Sequence, residues 1–366
     1  MKRIFLYSAG LLLLAAGCTK TEKVPSGEEW VWDESLPVPI SFESGGGLDV
    51  ETKAAINTLE GVDIGLFALS VDKSNNNQPN WNFTDASTRL LVNEKVNTDG
   101  SGTIVVNDKY YPNDNKYNYS FFAYAPYKGE GEGYTYATNW EGVDFTLGDV
   151  DIIYGESHAA VLGGGGGDFS GRNYGFKASY IRYVKSMGDR NDLLPNMTFR
   201  HVLTGLSFYA QVASEGESGA SNVSIRTIKI LNATNSVRLY IADKNSSERN
   251  GTVESRGTGT IFVGGGENAL NANLLYNDYN TSADPIGQVF LMPGDSFDIS
   301  VTYEIATDGE HITEEVTATI DRSAYEGFAA GNNYSVRLKI TSPENIEIFT
   351  DLDAWRDRDH GEVPME

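Results

Sequence analysis

The sequence is poor in cysteine, histidine, proline and basic residues. It has one cysteine, four histidines and eleven prolines among its 366 residues. A single cysteine excludes an intramolecular disulfide bond. The 28 lysines and arginines are outnumbered by 51 acidic residues, which gives a formal net charge of −23. Because nucleic-acid binding requires a clustered basic surface, we expect no nucleic-acid partner.

The residue patterns of common catalytic and metal sites are also missing. The four histidines are widely separated, and none lies in a His-Glu-x-x-His spacing. No Gly-x-Ser-x-Gly elbow prepares a serine, and the glycines at 163–167 lack the Gly-Lys-Ser/Thr continuation of a phosphate-binding loop. Acidic segments such as 113–115 have no EF-hand spacing, so we interpret them as solvated turns rather than calcium sites. We predict no enzyme activity, no catalytic residue, no metal and no cofactor.

Glycine and tyrosine, in contrast, are abundant, with 39 and 20 residues. This composition favours tight turns and aromatic-bearing strands. Alternating apolar residues predict strands at 38–42, 62–69, 117–124 and 334–340, and a long β-compatible run covers 199–212. Shorter strand signals follow at a spacing typical of a β-sandwich, at residues 225–231, 237–242, 260–263, 289–292, 297–305 and 316–320.

These patterns predict an all-β fold. The chain between the second and third strand signals is interpreted as a loop-rich insert. The segment Leu-Leu-Pro-Asn at 193–196 lies near the middle of the chain and is typical of a break between elements. It predicts a domain boundary between residues 195 and 196. No internal repeat of fixed length is present.

The first eighteen residues predict the export and localisation of the protein. Lys2 and Arg3 precede an apolar run at 4–16 that is shorter than the roughly 20 residues of a membrane-spanning helix, so residues 1–17 are interpreted as a secretory signal peptide. The sequence Leu-Ala-Ala-Gly-Cys ending at Cys18 resembles a bacterial lipobox, in which the cysteine is lipid-modified and becomes the first mature residue. Residues 18–36 are polar and predict a tether. We therefore expect an exported outer-membrane lipoprotein precursor, held to the membrane by an acyl chain.

Four short motifs, spread over most of the chain, carry a likeness to a known family. They are the lipobox ending at Cys18; Pro-Ile-Ser-Phe at 39–42 followed by Thr-Lys-Ala at 52–54 and Asp-Ile-Gly-Leu-Phe-Ala at 63–68; Phe-Arg-His-Val-Leu-Thr-Gly-Leu at 199–206; and Phe-Ala-Ala-Gly-Asn-Asn-Tyr at 328–334 with a late Trp355. In this order they resemble the fimbrillin family, the pilus and pilus-accessory subunits of Gram-negative anaerobes. The resemblance implies two tandem transthyretin-like β-sandwich domains, residues 37–195 and 196–366, which follow the signal peptide and tether.

The resemblance also implies a mechanism of assembly at the cell surface. A trypsin-like protease cuts between Lys53 and Ala54. The first strand then leaves, and a donor strand from a neighbouring subunit fills the groove that it vacates. The matching residues are Val38, Ile40 and Phe42 in the displaced strand and Ile346, Ile348 and Leu352 in the candidate donor strand.

Lys53 departs from the family pattern, because the best-known members are cut after arginine. The lysine is compatible with cleavage by a different protease. It is equally compatible with an ordinary loop lysine in an uncut chain that serves as a lipid-held pilus anchor.

The sequence thus predicts a structural subunit or adhesin component of fimbriae, located at the cell surface. Its partners would be other fimbrial subunits and a host or bacterial surface ligand. The alternative is a monomeric surface lipoprotein that keeps its first strand and binds carbohydrate, with Trp81, Trp140 and tyrosines as a stacking platform.

Overall fold

The computed structural model describes fourteen stretches of the chain, and three predicted site residues, Cys18, Lys53 and Ala54, lie outside them. The described residues are 22–23, 29–30, 35–42, 59–72, 78–79, 88–99, 103–159, 175–212, 222–267, 269–270, 272–274, 285–307, 310–342 and 345–352.

This part of the chain is nearly all β, which confirms the predicted fold class. It contains one α-helix, α1 (Ala178–Ser186), and no described helix has the length and apolar character needed to span a bilayer. Single turns of 3-10 helix lie at Asn191–Leu193, Ser247–Arg249 and Ser323–Tyr325. The strands are β1 (Glu22–Lys23), β2 (Glu29–Trp30), β3 (Val38–Pro39), β4 (Ile64–Asp72), β5 (Gln78–Pro79), β6 (Arg89–Thr98), β7 (Ile104–Val105), β8 (Tyr110–Tyr111), β9 (Tyr119–Ala125), β10 (Tyr134–Ala137), β11 (Trp140–Thr146), β12 (Ile153–Ser157), β13 (Thr198–His201), β14 (Thr204–Val212), β15 (Asn222–Asp243), β16 (Val253–Phe262), β17 (Ala272–Asn273), β18 (Gly287–Leu291), β19 (Ser296–Thr307), β20 (Glu310–Asp321), β21 (Asn333–Ser342) and β22 (Asn345–Leu352).

The first sheet has the strand order β13-β12-β9-β4-β6-β7, with β5 paired to β4, and all neighbours are antiparallel. Its central strands, β4 and β9, are buried on both faces. Ala68 lies opposite Phe121 on one face, which we call the outer face. Phe67 lies opposite Phe122 on the other, the inner face, because successive side chains of a strand alternate.

Different parts of the chain cover the two faces of this sheet. The outer face packs against residues 38–42 and α1, whose Tyr180, Ile181 and Val184 are buried in the same apolar cluster. The inner face packs against β11 and β15 in a second, larger cluster. The first sheet is therefore the middle layer of its half of the molecule.

The second and third sheets form a sandwich. The second sheet has the order β10-β11-β15-β19-β20, with β16 and β17 also paired to β15. The third has the order β18-β14-β21-β22, in which β14 and β21 are parallel. Ile228 and Ile230 of the second sheet share the larger apolar cluster with Phe208 and Val336 of the third. The core is therefore continuous from the inner face of the first sheet into the sandwich.

One strand, β15, joins these layers. It is 22 residues long, and its beginning pairs with β19 while its end pairs with β11. Asn232 lies between these halves with φ of 51°, a left-handed conformation that asparagine tolerates better than most residues. The strands predicted at 225–231 and 237–242 are therefore parts of one bent strand.

Strands from the two sides of the predicted domain boundary, between residues 195 and 196, pair with each other in two of the sheets. In the first sheet β12 pairs with β13, and in the second β11 pairs with β15. The hairpin β10–β11 joins the second sheet because Val143 and Phe145 pack into the larger cluster. The predicted run at 199–212 splits into β13 and β14, which lie in different sheets. Two contiguous sandwich domains remain a prediction.

Candidate assembly site

The predicted first strand lies buried against the outer face of the first sheet. Val38, Ile40 and Phe42 are 0%, 1% and 7% exposed, while Ser41 between them is exposed. This alternation is the one that the sequence predicts, although regular strand geometry is limited to Val38–Pro39. Residues 38–42, which we call the first segment, thus contribute their apolar face to the core.

The backbone of the first segment is paired on one edge. Val38 and Pro39 lie opposite Tyr111 and Tyr110 of β8, and the N–H of Ile40 donates to the carbonyl oxygen of Lys109 at 2.9 Å. Within the described residues β8 is its only strand partner. Proline has no N–H to donate to a second neighbour, so it suits such an edge position.

Aromatic rings form the floor under the first segment. The Phe42 ring meets the Phe121 ring edge-on, with centroids 5.0 Å apart and an angle of 69°. The Tyr111 ring lies 6.3 Å from Phe121 on the same floor. Burial raises the pKa of the Tyr111 hydroxyl, which has no hydrogen-bond partner among the described residues. The floor is therefore apolar apart from one unsatisfied hydroxyl group.

A buried arginine forms a hydrogen bond to the backbone just before the first segment. Arg182 of α1 is 3% exposed, and its Nη2 donates to the carbonyl oxygen of Leu36 at 2.5 Å and to Oδ1 of Asn113 at 2.9 Å. Hydrogen bonds from a charged group are stronger than neutral ones. Arg182 therefore ties the segment both to the helix and to the turn after β8. Neither this arginine nor its helix is among the features predicted from the sequence.

The candidate donor residues lie in the outermost strand of the third sheet. Ile346, Ile348 and Leu352 of β22 pair opposite Ile340, Leu338 and Tyr334 of β21. Ile346 is 9% exposed and Ile348 is partly buried against the larger cluster. No described strand pairs with the outer edge of β22. The candidate donor strand is thus paired with a strand of its own chain, and within the described residues it is paired on one edge.

Within the described residues, the exposed tyrosines are distributed over separate elements and do not by themselves define the predicted stacking platform. Tyr110, Tyr136 and Tyr325 are exposed but lie on different elements of the described chain. Trp140 instead packs against Tyr240 at 5.5 Å and under the guanidinium of Arg238 at 4.7 Å, while Trp81 lies outside the described residues. Among the described residues, no three histidine, cysteine or acidic side chains are placed to share a metal ion.

One family model matches most of the sequence. Residues 52–355 match a family model described as fimbrillin-like. No curated protein sequence matches the chain. Among solved structures, a protein assigned to cell adhesion from Bacteroides uniformis is 15% identical and covers 87% of this chain and 98% of its own, with a TM-score of 0.46.

Two further solved structures resemble the chain over most of its length. A fimbrial protein from Bacteroides vulgatus is 14% identical, with coverage of 87% and 99% and a TM-score of 0.46. The fimbrial anchor protein Mfa2 from Porphyromonas gingivalis is 11% identical, with coverage of 87% and 96% and a TM-score of 0.34. Of these likenesses, the family match over residues 52–355 is the one that bears on function.

Proposed function

Because the chain belongs to the fimbrillin-like family, we propose that it is a non-enzymatic structural subunit or adhesin component of cell-surface fimbriae, assembled by protease-triggered strand exchange. The first segment carries this proposal. It places three apolar side chains in the core, yet among the described residues β8 is the one strand that pairs with its backbone. A segment held in this way can be replaced by another strand with the same alternation.

Cleavage between Lys53 and Ala54 would cut the covalent link between the first segment and β4. Departure of the segment would uncover the outer face around Ala68 and Phe121 and would leave the carbonyl of Lys109 unpaired. Each of the three apolar side chains contributes roughly 1.5 to 3 kcal/mol of burial free energy. An open groove of this kind is unfavourable in water, so an incoming strand that restores both burial and pairing is strongly favoured.

The donor is β22 of a neighbouring subunit. Ile346 and Ile348 are two residues apart, as are Val38 and Ile40, so either pair can face the same floor. A subunit that donates β22 and accepts the β22 of the next makes a head-to-tail contact. Such a contact does not close on itself, and it yields a filament.

Lipid attachment at Cys18 fits the same sequence of events. The acylated precursor would be held at the outer membrane until the cut removes the lipid together with the first segment. The partners are then other fimbrial subunits, with a host or bacterial surface ligand for an adhesin component.

The N-terminal sequence and intact mass of the protein sheared from native cells test this proposal. We expect a mature chain that starts at Ala54 in a fraction of high molecular weight. Lys53→Ala should keep the chain unprocessed and out of that fraction, whereas Lys53→Arg should be processed like the wild type. The pair separates loss of the cleavage site from a general effect of substitution in this loop.

A chain that starts at acylated Cys18 and stays with the membrane would overturn the polymerising-subunit proposal. That outcome would leave two alternatives, the lipid-held pilus anchor and the monomeric surface lipoprotein that binds carbohydrate. Polymers built from chains that still contain residues 18–53 would instead overturn strand removal as the trigger.

A further inference from the structure

Hydrogen bonds hold the two ends of the first segment unequally in the described part of the chain. Residues 38–39 pair with β8, and the N–H of Ile40 donates to the carbonyl oxygen of Lys109 at 2.9 Å. Residues 41–42 make no hydrogen bond with another described residue, and the Phe42 ring packs edge-on against the aromatic floor. The Phe42 end is therefore held by apolar burial, whereas the other end is also held by backbone pairing.

The proposed cleavage site lies on the weakly held side. Lys53 and Ala54 follow Phe42 in the sequence, whereas Leu36 precedes the segment. Cleavage would thus free the Phe42 end and leave the Leu36 end unchanged. Parts of a structure with few protected hydrogen bonds open first. We therefore expect release to proceed from Phe42 toward Leu36, where the last contact breaks.

Arg182 makes the contact at the Leu36 end. Its Nη2 donates to the carbonyl oxygen of Leu36 at 2.5 Å and to Oδ1 of Asn113 at 2.9 Å, and the residue is 3% exposed. Both acceptors are neutral, no carboxylate oxygen lies within 4.0 Å in the described part of the chain, and the buried Nε has no described partner. A buried guanidinium depends strongly on each acceptor that it has, because an unmet charged donor is costly. Loss of the Leu36 carbonyl is therefore opposed more strongly than loss of an ordinary hydrogen bond.

Cleavage after Lys53 would leave this contact in place. Arg182 belongs to α1, which is packed on the outer face of the first sheet and stays with the body of the protein. Leu36 would belong to the fragment 18–53, together with the first segment and the predicted lipid at Cys18. The hydrogen bond from Arg182 would then join the two pieces without a covalent link.

We propose that Arg182 is a positioning residue for strand exchange, which latches the first segment in its groove after cleavage until an incoming strand displaces it. A donor strand can enter beside the loosened Phe42 end and pair with β8 as the segment leaves. The latch keeps a cut subunit on its acylated fragment, and so at the membrane, until a donor arrives. This inference deepens the proposed assembly mechanism and rests on it for the cut after Lys53.

Hydrogen exchange on the uncut chain measures the latch directly. The amide of Ile40 reports opening of the first segment, and the amide of Val263, which donates to the carbonyl oxygen of Ile228 in β15 at 3.0 Å, reports general stability. We expect Arg182→Met to speed exchange at Ile40 about tenfold and to leave Val263 unchanged. Arg182→Lys keeps a charged donor and should restore part of the protection.

Two further variants complete this test. Asn113 is exposed, so Asn113→Ala removes the second acceptor of the guanidinium without a change in the core, and it should speed exchange at Ile40 by a smaller factor. Arg190→Met, at an arginine whose side chain is 50% exposed, is the control and should exchange as the wild type does. Unchanged exchange at Ile40 in Arg182→Met would overturn the latch, as would unchanged exchange in Asn113→Ala if Arg182→Met does not fold. An equal increase at Ile40 and Val263 would also overturn it, because that result marks a general loss of stability.

The cleaved chain gives a second measurement. After cleavage at Lys53 in vitro, native mass spectrometry at a concentration too low for assembly follows the fragment 18–53 on the body of the protein. We expect the wild type to keep the fragment and Arg182→Met to lose it about tenfold faster. Equal rates of loss from the two proteins would overturn the proposal.

The exchange measurement needs neither cleavage nor polymer, so failure of the latch is distinct from failure of the proposed function. Filaments from a chain in which Arg182→Met leaves exchange at Ile40 unchanged would remove this inference alone. A chain that is never cut at Lys53 would remove the assembly mechanism and, with it, the role of the latch in exchange.

Discussion

A buried ion pair joins the first sheet to the second. Nη2 of Arg89 on β6 lies 2.7 Å from Oε1 of Glu141 on β11, and the hydroxyl of Tyr134 on β10 donates to Oε2 at 2.6 Å. Burial raises the pKa of Glu141, while Tyr134 and Arg89 oppose that rise. Such a pair adds little stability relative to an apolar replacement, but removal of one partner leaves an uncompensated charge.

We expect Glu141→Leu alone to lower the free energy of unfolding by about 3 to 5 kcal/mol, because Arg89 is left without its carboxylate. The double variant Arg89→Met/Glu141→Leu should recover most of this loss. Denaturant unfolding of both single variants and the double variant gives their interaction free energy, expected at about 1 to 3 kcal/mol. Lys95 and Asp63, with side chains 52% and 46% exposed, form the control pair, and their interaction free energy should be clearly smaller because solvent screens both charges. Equal values in the two cycles would contradict the assigned role of burial.

At the scale of the element, strands with a regular apolar pattern were predictable from the sequence. A strand interrupted by a β-bulge was not. The alternation in β21 follows the period of two, β4 is a largely apolar run that is buried on both faces, and both strands lie where the sequence predicts them. In contrast, β6 lies in the part of the chain that the sequence predicts to be a loop-rich insert. Its buried residues, Leu91 and Val96, are an odd number of positions apart, because the pairing with β4 shifts around Asn93, which has φ of 49°. A bulge therefore erased the periodic signal.

Only part of the candidate assembly site was predictable from the sequence. The alternation of Val38, Ile40 and Phe42 indicated the buried face of the first segment. Its partners were not predictable, because β8 has two residues in strand geometry and Arg182 lies 146 positions from Leu36. The helix that carries Arg182 has apolar residues at helical spacing, a signal that was present but outweighed by the β-rich composition.

The first segment should therefore stabilise the uncut chain through its apolar face. We expect Ile40→Ala to lower the free energy of unfolding by about 2 to 5 kcal/mol, the usual cost of truncating a fully buried isoleucine. Ser41→Ala, at the adjacent exposed position, is the matched control and should change stability by less than about 0.5 kcal/mol. Denaturant unfolding of the uncleaved chain measures both. Similar values for the two variants would show that the segment does not contribute to the core.

At the scale of the whole molecule, the proposed acceptor groove and the proposed donor strand belong to different sheets. The first segment covers the outer face of the first sheet, whereas β22 is the outermost strand of the third. The chain's own β22 pairs with β21, so it does not occupy its own groove in this structure. Donation to a neighbour therefore requires β22 to detach from β21, and a covalent link between these two strands should prevent assembly.

Lys339 of β21 and Glu347 of β22 lie directly opposite each other, with side chains 30% and 47% exposed. The variant Lys339→Cys/Glu347→Cys places a disulfide there without changing an apolar residue. After proteolytic removal of the first segment, we expect the oxidised variant to stay monomeric in size-exclusion chromatography and electron microscopy, and the reduced variant to form filaments. Asp298→Cys/Thr319→Cys links β19 to β20 in the same way and is the matched control, expected to polymerise in both redox states. Filaments formed by the oxidised β21–β22 variant would show that β22 is not the donor strand.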